Sequence, residues 1–257
     1  MIRKNCPICH SKDNKKIFQR DFSRMTEIMP FERYSVYECQ ECGFIYAGDI
    51  VESMPLSRYY DLCSKYSNES YNLDTASRQR FEIILKLFKE RVPKDASILE
   101  IGCAEGFFLD MLRSDGYICI EGIEPSSQCV QYARDELGLN VIEGGLGNLK
   151  KLDNKKFDVI VSEQVLEHIV NPYTAIEEMT RYLADDGLLC IGVPDAGAFS
   201  DHIDFFRQFS SEHINYFSEG SLANLMRQNG FEKLCIVRNA KPCYFDTRRM
   251  TNRAISE

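Results

Sequence analysis

Short apolar runs alternate with helically spaced apolar positions along most of this chain. The run at residues 98–101 is typical of a buried strand, and residues 107–112 carry apolar side chains at the spacing of a helix. The alternation continues with apolar runs at residues 117–124, 140–143, 157–162, 188–193 and 231–237. These repeated strand–helix units predict an α/β fold, with a Rossmann-like, mostly parallel sheet and helices on both faces.

Several helices have recognisable ends in the sequence. Asp74 or Thr75 is a suitable N-cap for an amphipathic helix that Pro93 ends, and Ser218 is a suitable N-cap for a helix that Gly230 ends. The triplet at residues 185–187, Asp-Asp-Gly, predicts a turn between a helix and the apolar run that follows it.

The first 50 residues follow a different pattern, because they carry two C-x-x-C pairs with 29 residues between them. Each pair can bend into a knuckle that directs two thiolates at one ion, and two knuckles complete the tetrahedral four-cysteine site of structural zinc. Strands are predicted at residues 16–20 and 34–38, between the pairs. We therefore interpret residues 1–50 as a zinc-binding module whose ligands are Cys6, Cys9, Cys39 and Cys42.

Two other interpretations of these cysteines stay open. They are four unrelated reduced thiols, or a redox-active C-x-x-C pair. The turn-forming residues Pro7 and Gly43 beside the pairs favour zinc. We treat His10 as a bystander rather than a ligand.

Composition narrows the classes of function. The 257 residues suffice for one α/β domain with a small appendage, and a net charge of −8 disfavours broad contact with nucleic-acid phosphates. The chain has no apolar run of membrane-spanning length and no signal-peptide pattern. Eleven cysteines without secretory features indicate reduced thiols. We expect a cytoplasmic protein that associates with neither membranes nor nucleic acid.

The turn after the first strand of the α/β region consists of small residues. Gly102, Ala104 and Gly106 would allow a ligand to approach the backbone closely. A dinucleotide fingerprint needs its third glycine at position 107, which is Phe. Glu124 ends the next strand, where a carboxylate can accept hydrogen bonds from both hydroxyls of a ribose.

Four stretches, in this order, give the chain a recognisable family resemblance. They are residues 99–106 (LEIGCAEG), 122–125 (GIEP), 157–168 (FDVIVSEQVLEH) and 186–194 (DGLLCIGVP). Over about residues 74–238 the chain resembles the class I S-adenosylmethionine-dependent methyltransferases. The resemblance implies S-adenosyl-L-methionine as cofactor and methyl transfer as the reaction.

The resemblance also implies a cofactor site. The small residues of the turn would let the backbone run close to the methionine and ribose parts of the cofactor. Glu124 would hold the ribose hydroxyls, and Glu100 would support the turn or bind the amino group of the cofactor. Backbone amides of the loop at residues 144–148 would lie beside adenine, and the residues after the fourth strand would lie near the sulfonium and the substrate. The predicted cofactor-binding residues are Glu100, Gly102, Ala104, Gly106, Glu124, Gly145, Leu146, Glu163 and Gln164.

Adjacent Glu212 and His213 are the candidate catalytic base. They lie between the fifth strand and the next helix, and an acid–imidazole pair suits proton abstraction. The structural alternative is that His213 bonds to backbone and Glu212 pairs with Arg207. His202 is a weaker candidate, and we assign Glu167 and His168 to local hydrogen bonds. Phenylalanines around this segment, including Phe199 and Phe209, are interpreted as a lid or pocket wall.

The four-cysteine module together with the segment 212–218 (EHINYFS) resembles the sugar C-methyltransferases of deoxysugar and polysaccharide pathways. In that family the Glu-His pair removes the α proton of a nucleotide-linked keto sugar before methyl transfer. By this resemblance Glu212 and His213 are catalytic, and Tyr66 or Tyr71 is the counterpart of an active-site tyrosine. Those enzymes usually continue into another C-terminal domain. We therefore expect either part of a longer protein or a shorter relative with another acceptor.

The expected organisation is a zinc-binding module at residues 1–50, a linker and helix at 51–93, and a methyltransferase core at 94–257. The expected function is methyl transfer to a small-molecule acceptor, with a nucleotide-linked keto sugar as the acceptor that the resemblance implies. The alternatives are O- or N-methylation of another small metabolite, and a non-catalytic zinc-binding interaction protein. A nucleic-acid methyltransferase is disfavoured by the acidic charge.

Overall fold

A computed structural model describes residues 2–23, 31–51, 73–153, 155–201, 208–238 and 243–249 of the chain. Its contacts define two compact units. The first comprises Met1–Tyr59, Gln164–Glu177 and Gly192–Glu257, and the second comprises Tyr60–Glu163 and Glu178–Ile191. The boundaries predicted at residues 50 and 94 remain predictions.

The described residues form strands and helices in the predicted alternation. The strands are β1 (Asn14–Asp21), β2 (Arg33–Cys39), β3 (Ile45–Gly48), β4 (Ser97–Ile101), β5 (Cys119–Glu124), β6 (Val141–Glu143), β7 (Phe157–Glu163), β8 (Leu183–Val193), β9 (Asn215–Tyr216), β10 (Phe231–Arg238) and β11 (Cys243–Arg249). The helices are α1 (Thr75–Arg91), α2 (Phe107–Ser114), α3 (Ser127–Asp135), α4 (Pro172–Tyr182) and α5 (Glu219–Gln228). None of the helices in the described ranges is both long enough and apolar enough to cross a membrane.

The second unit is built on a sheet in the order β8-β7-β4-β5-β6. β4 pairs in parallel with β5 and with β7, and β5 pairs in parallel with β6. The α/β prediction is confirmed for this unit. The strand order reverses between β4 and β7, and ligands of such sheets bind where the carboxyl ends of the strands meet at the reversal.

Helix α1 begins and ends as its sequence indicates. The Asp74 carboxylate accepts hydrogen bonds from the backbone N–H groups of Ala76 and Ser77, at 2.9 and 3.0 Å, and Val92 caps the other end. Ile84 and Phe88 are the buried side chains of this helix, and the Phe88 ring lies 6.0 Å from that of Phe108 on α2. Their burial holds α1 against α2.

The first unit contains an antiparallel sheet in the order β1-β2-β3-β9. The predicted strands at 16–20 and 34–38 are confirmed as β1 and β2. The register of the last pair joins Ile45 to Tyr216 and Tyr46 to Asn215. The sheet of the N-terminal residues is therefore completed by a strand that follows Glu212 and His213. We call β1–β3 with the two C-x-x-C pairs the N-terminal module.

The turn predicted at residues 185–187 is present at the start of β8, directly after α4. A Cβ on Gly187 would lie 3.0 Å from the Ala184 carbonyl oxygen and 2.7 Å from Leu183 Cγ, so the backbone turns back on itself there. The lid expected from the phenylalanines is wrong for Phe199 and Phe209, which belong to the core of the first unit with Tyr34 and Ile214. Apolar burial outweighs surface exposure for these two rings.

Replacement of Gly106 by alanine tests the turn between β4 and α2. Gly106 has a φ of +82°, and a Cβ there would lie 2.6 Å from Leu139 Cδ1. We expect Gly106→Ala to lower the free energy of unfolding by more than the about 1–2 kcal/mol of a left-handed backbone alone. Gly138→Ala is the matched control, since Gly138 has a φ of +62° and its nearest contact is Arg113 Nη1 at 3.9 Å. Urea unfolding measures both, and equal losses would contradict the steric explanation.

Candidate functional site

The turn after β4 holds three residues in the left-handed region. Gly102, Ala104 and Gly106 have φ values of +75°, +46° and +82°. The Gly102 N–H donates to the Ile123 carbonyl at 2.8 Å, so the turn is tied to β5. We call residues 102–106 the glycine turn. It carries little side-chain bulk and leads directly into α2, so backbone groups are available to a ligand.

The carboxylate of Glu124 holds this turn from the end of β5. It accepts hydrogen bonds from the backbone N–H of Ala104 at 3.0 Å and of Ser126 at 2.8 Å. Burial raises the pKa of Glu124 to about 7, although these two bonds act in the opposite direction. Each carboxylate oxygen has a second lone pair, so Glu124 can also accept hydrogen bonds from a ligand.

Glu100 on β4 is buried with only 2% of its surface exposed. Burial, and secondarily the charges of Glu163 and Glu124, raise its pKa well above the ordinary value. Among the described residues, Glu100 Oε2 and Ser162 Oγ have no hydrogen-bond partner. Buried polar atoms usually have partners, so these two atoms fit a site that receives hydroxyl or amino groups from a ligand.

Arg80 on α1 is a functional candidate that the sequence analysis missed. Its Nε donates to Glu163 Oε1 at 2.8 Å, and its Nη2 donates to Ser77 Oγ at 2.7 Å. Both side chains of the ion pair are largely buried. No sequence motif surrounds Arg80. Its position beside Glu163, the last residue of β7, becomes clear only from the way α1 packs in the structure.

The remaining predicted cofactor residues lie in two places. Gly145 and Leu146 stand at the start of a 3-10 helix (Leu146–Leu152) after β6, and the Gly145 N–H donates to Asn148 Oδ1 at 3.2 Å. The amide of Gly145 is thus engaged within the protein. Gln164, directly after β7, has a φ of +55°, and its Nε2 has no partner within the described part of the chain.

The four predicted metal ligands meet in the first unit. All Sγ atoms of Cys6, Cys9, Cys39 and Cys42 lie within 4.8 Å of one another, and we call them the cysteine cluster. Cys6 Sγ is 3.6 Å from Cys42 Sγ, and Cys9 Sγ is 3.5 Å from Cys39 Sγ. Metal–sulfur bonds of about 2.3 Å in a tetrahedron separate sulfurs by about 3.8 Å. The cluster therefore has dimensions that suit one tetrahedral ion.

Matching turns build the two halves of the cluster. The His10 N–H donates to the Cys6 carbonyl at 3.0 Å, and the Gly43 N–H donates to the Cys39 carbonyl at 2.9 Å. His10 and Gly43 follow their C-x-x-C pairs with φ values of +60° and +69°. His10 is not in the cluster, and its ring packs edge-on against Tyr173.

Burial and backbone hydrogen bonds shift the pKa values of three thiols in the cluster. Burial raises the pKa of Cys6 well above the ordinary value and raises that of Cys42 to about 12. For Cys39 burial acts in the same direction, but N–H groups of Cys42 and Glu41 outweigh it and the pKa is lowered. A bound cation would have to displace protons from at least Cys6 and Cys42.

Glu212 and His213 lie in a loop at residues 209–214, which we call the base loop. The His213 backbone N–H donates to Ser210 Oγ at 3.1 Å, and the Glu212 carbonyl is 3.0 Å from His168 Nδ1. The His168 and His213 rings meet edge to face with centroids 4.8 Å apart. His168 is thus linked to a residue 44 positions away, rather than only to local groups as the sequence analysis assumed.

Buried Glu167 joins this cluster. Ligand atoms of Glu167, His168 and His213 all lie within 4.8 Å of one another, and Glu167 Oε1 is 3.9 Å from His168 Nε2. Because Nδ1 of His168 faces a carbonyl oxygen, its proton belongs on that nitrogen in the neutral ring. This leaves the Nε2 lone pair toward Glu167 and able to accept a proton. Tyr66, Tyr71, His202 and Arg207 lie outside the described residues.

Comparison with protein families gives a match over most of the described α/β region. A family model for a methyltransferase domain matches residues 73–236, which is more than half of the chain. The matched range begins just before α1 and ends within β10.

Curated relatives match over shorter stretches. A ubiquinone biosynthesis O-methyltransferase of Glaesserella parasuis is 31% identical over 103 residues, covering 37% of this chain and 43% of that protein. A ubiquinone/menaquinone biosynthesis C-methyltransferase of Campylobacter jejuni is 25% identical over 130 residues, covering 48% of this chain and 54% of that protein. The chain thus spans about half the length of the curated relatives it matches.

Solved structures share the fold at low identity. Magnesium protoporphyrin IX methyltransferase from Synechocystis PCC 6803, with bound SAH, has a TM-score of 0.59 at 13% identity, covering 76% of this chain and 98% of that chain. The N-methyltransferase NodS from Bradyrhizobium japonicum, also with S-adenosyl-l-homocysteine, has a TM-score of 0.56 at 19% identity, covering 72% and 95%. Together with the family match, this fold shows that the chain belongs to the family of methyltransferase domains and has the class I fold.

Proposed function

We propose that this methyltransferase transfers the methyl group of S-adenosyl-L-methionine to a small-molecule acceptor. The observation that carries the cofactor assignment is the Glu124 carboxylate, which is fixed by the Ala104 amide at the glycine turn. Glu100 Oε2 and Ser162 Oγ are buried, and neither has a hydrogen-bond partner among the described residues. Both atoms fit a polar ligand bound near the same strand ends. The relatives support the reaction class, since their names include O- and C-methyltransferases.

Each polar part of the cofactor has a matching group. Glu124 would accept the ribose hydroxyls, and backbone of the glycine turn would pass the methionine part. Arg80 would offer a positive charge to the carboxylate of the cofactor's methionine part, and Glu100 would face its amino group. Backbone groups of Gly145 and Leu146 would lie beside adenine, and Glu163 and Gln164 near the reacting methyl group.

When bound, the cofactor supplies a methyl group already activated on a sulfonium, so no further electrophile is needed. The protein contributes position, which can supply a large share of the rate. A base is required only for an acceptor that is protonated at neutral pH.

The finer proposal is C-methylation of a nucleotide-linked keto sugar. Glu212 or His213 would take the α proton of the sugar and leave the electron pair on the carbon that receives the methyl group. The pairing of His213 with His168 and buried Glu167 supports this role, because a carboxylate beside imidazoles stabilises a captured proton. Tyr66 and Tyr71 stay predicted partners. O-methylation is the alternative that the Glaesserella relative favours.

We also propose that the cysteine cluster binds structural Zn²⁺. Four thiolates close the coordination sphere, so the ion would have no open position for a substrate. Its contribution would be to fold the N-terminal module.

Cofactor affinity should depend on pH through Glu124. The pKa of about 7 in the free protein leaves Glu124 mostly protonated at pH 6 and mostly ionised at pH 8. Because the ionised form accepts ribose hydroxyls better, we expect the Kd for S-adenosylmethionine to be about tenfold weaker at pH 6 than at pH 8. Titration calorimetry across this range measures it.

Glu124→Gln should bind weakly with a flat pH profile. Glu121→Gln is the matched control, because Glu121 lies on the same strand but pairs with Lys155 at 2.8 Å; it should keep the wild-type profile. No binding by the wild-type protein at millimolar cofactor would overturn the proposed function. A pH-independent Kd would overturn the role of Glu124 alone.

Loss of the proposed base should abolish turnover. With a nucleotide-linked keto sugar as acceptor, Glu212→Gln and His213→Ala should each lower kcat by about a hundredfold or more, with cofactor Kd near wild type. S-adenosylhomocysteine formation and loss of deuterium from the α-deuterated sugar measure the two steps. His10→Asn is the histidine control, since Asn tolerates the left-handed backbone there.

Two results would argue against this mechanism. Unchanged turnover in both variants would make the pair structural. Product formed with phenols or amines but not with keto sugars would favour O- or N-methylation.

The zinc proposal predicts about one equivalent of metal per chain. Cys42→Ser should reduce the bound zinc and the melting temperature, and a strong chelator should have the same effect on the wild-type protein. Cys119→Ser is the control, because Cys119 is exposed and outside the cluster. Metal analysis giving less than half an equivalent, with unchanged melting in chelator, would contradict the assignment.

A further inference from the structure

Side chains of the first unit hold the backbone of the base loop at nearly every carbonyl. Arg20 Nε donates to the Phe209 carbonyl at 3.1 Å, and the Tyr34 hydroxyl donates to the Ser210 carbonyl at 2.5 Å. The Tyr216 hydroxyl donates to the His213 carbonyl at 2.5 Å and lies 2.6 Å from the Tyr34 hydroxyl. Two of these donors come from β1 and β2, so the N-terminal module helps to hold the loop backbone in its conformation.

Arg3 makes the most extensive of these contacts. It is buried, with 2% of its surface exposed, three residues before the first cysteine of the cluster. Its Nη1 donates to the Ile214 carbonyl at 3.1 Å and to the Ala47 carbonyl at 3.2 Å, while its Nη2 donates to Asn215 Oδ1. The Ala47 N–H also donates to the Ile214 carbonyl, at 2.9 Å. The guanidinium thus joins β3 to the residue that follows His213.

The link continues from Asn215 to the turn that carries His168. Asn215 Nδ2 donates to the carbonyls of Leu166 and Ile169 at 2.7 and 2.6 Å. The Ile214 N–H donates to the Glu167 carbonyl at 2.8 Å. Arg3 therefore orients the Asn215 amide, and the amide fixes the turn on both sides of His168.

From these contacts we propose that Arg3 is a positioning residue for the candidate base. Its guanidinium sets the distance and angle between the His213 and His168 rings by clamping the segments that carry them. The N-terminal module then acts on the reaction by shaping the base loop, besides stabilising its own fold. This inference rests on the proposed role of Glu212 and His213. A lysine cannot replace Arg3, because one ammonium does not reproduce the planar fork that serves three acceptors.

Histidine NMR provides a direct test, since the chain has only four histidines. The protein is labelled with ¹³C-histidine, loaded with Zn²⁺, and assigned by single His→Gln variants. In the wild type we expect a nuclear Overhauser effect between the His168 and His213 rings and a mutual influence on their titrations. In Arg3→Lys this effect should vanish and both ring signals should move. The His10 signal, zinc content and cofactor Kd should stay unchanged.

Two further variants separate positioning from simple destabilisation. Leu222→Ala removes buried apolar volume from α5 without changing a residue that Arg3 or Asn215 bonds, and it should lower the melting temperature while leaving the ring signals in place. Asn215→Ser removes the bonds to residues 166 and 169 and should reproduce the Arg3→Lys spectrum. It also keeps the proposal testable if Arg3→Lys fails to fold.

Wild-type ring signals in a folded Arg3→Lys or Asn215→Ser variant would overturn the proposal. The same shifts in Leu222→Ala would also overturn it. The kinetic counterpart, where the keto sugar is turned over, is a fall in kcat of about a hundredfold with unchanged cofactor Kd. Unchanged turnover in Glu212→Gln and His213→Ala would instead refute the catalytic role of these two residues. The positioning of the two rings by Arg3 would still be tested separately by the NMR spectra.

Discussion

The hydrogen bond between the Ala104 amide and the Glu124 carboxylate fixes the centre of the methyltransferase unit. It joins the turn after β4 to the end of β5, where the backbone passes through three left-handed residues. Such a turn has few internal bonds, and the N–H groups of Gly102 and Cys103, which both donate to the Ile123 carbonyl, also tie it to β5. The carboxylate must be buried to make this bond, and its burial raises its pKa. The same group can therefore order the turn and present a hydrogen-bond acceptor to a ligand.

Three glutamates lie close together at the carboxyl ends of β4, β5 and β7. Glu124 and Glu163 end two strands that flank β4, and Glu100 is the last residue but one of β4, so each would repel the others if all were ionised. The fold reduces this repulsion by pairing Glu163 with Arg80, and burial raises the pKa of Glu100 well above its ordinary value, which favours the uncharged form. A zwitterionic cofactor with a positive sulfonium would add positive charge beside these carboxylates.

In the first unit, the N-terminal module supports the backbone of the base loop. Its sheet is completed by β9, and its side chains bond the backbone of residues 209–214. Backbone carbonyls in an irregular loop need donors, and arginine and tyrosine side chains supply them here. A loop held in this way can keep two imidazoles in one relative orientation without a regular strand of its own.

The sequence by itself determined the elements whose signals are local. Apolar periodicity located the strands of the α/β region, small residues marked the glycine turn, the strand end marked Glu124, and the C-x-x-C spacing found the cysteine cluster. Only the tertiary structure decided the contacts between distant residues. Arg80 meets Glu163 across 83 positions, His168 meets Glu212 across 44, and Arg3 meets Ile214 across 211. Hydrogen bonds of this kind depend on how elements pack, and packing leaves no periodic trace in the residues that make them.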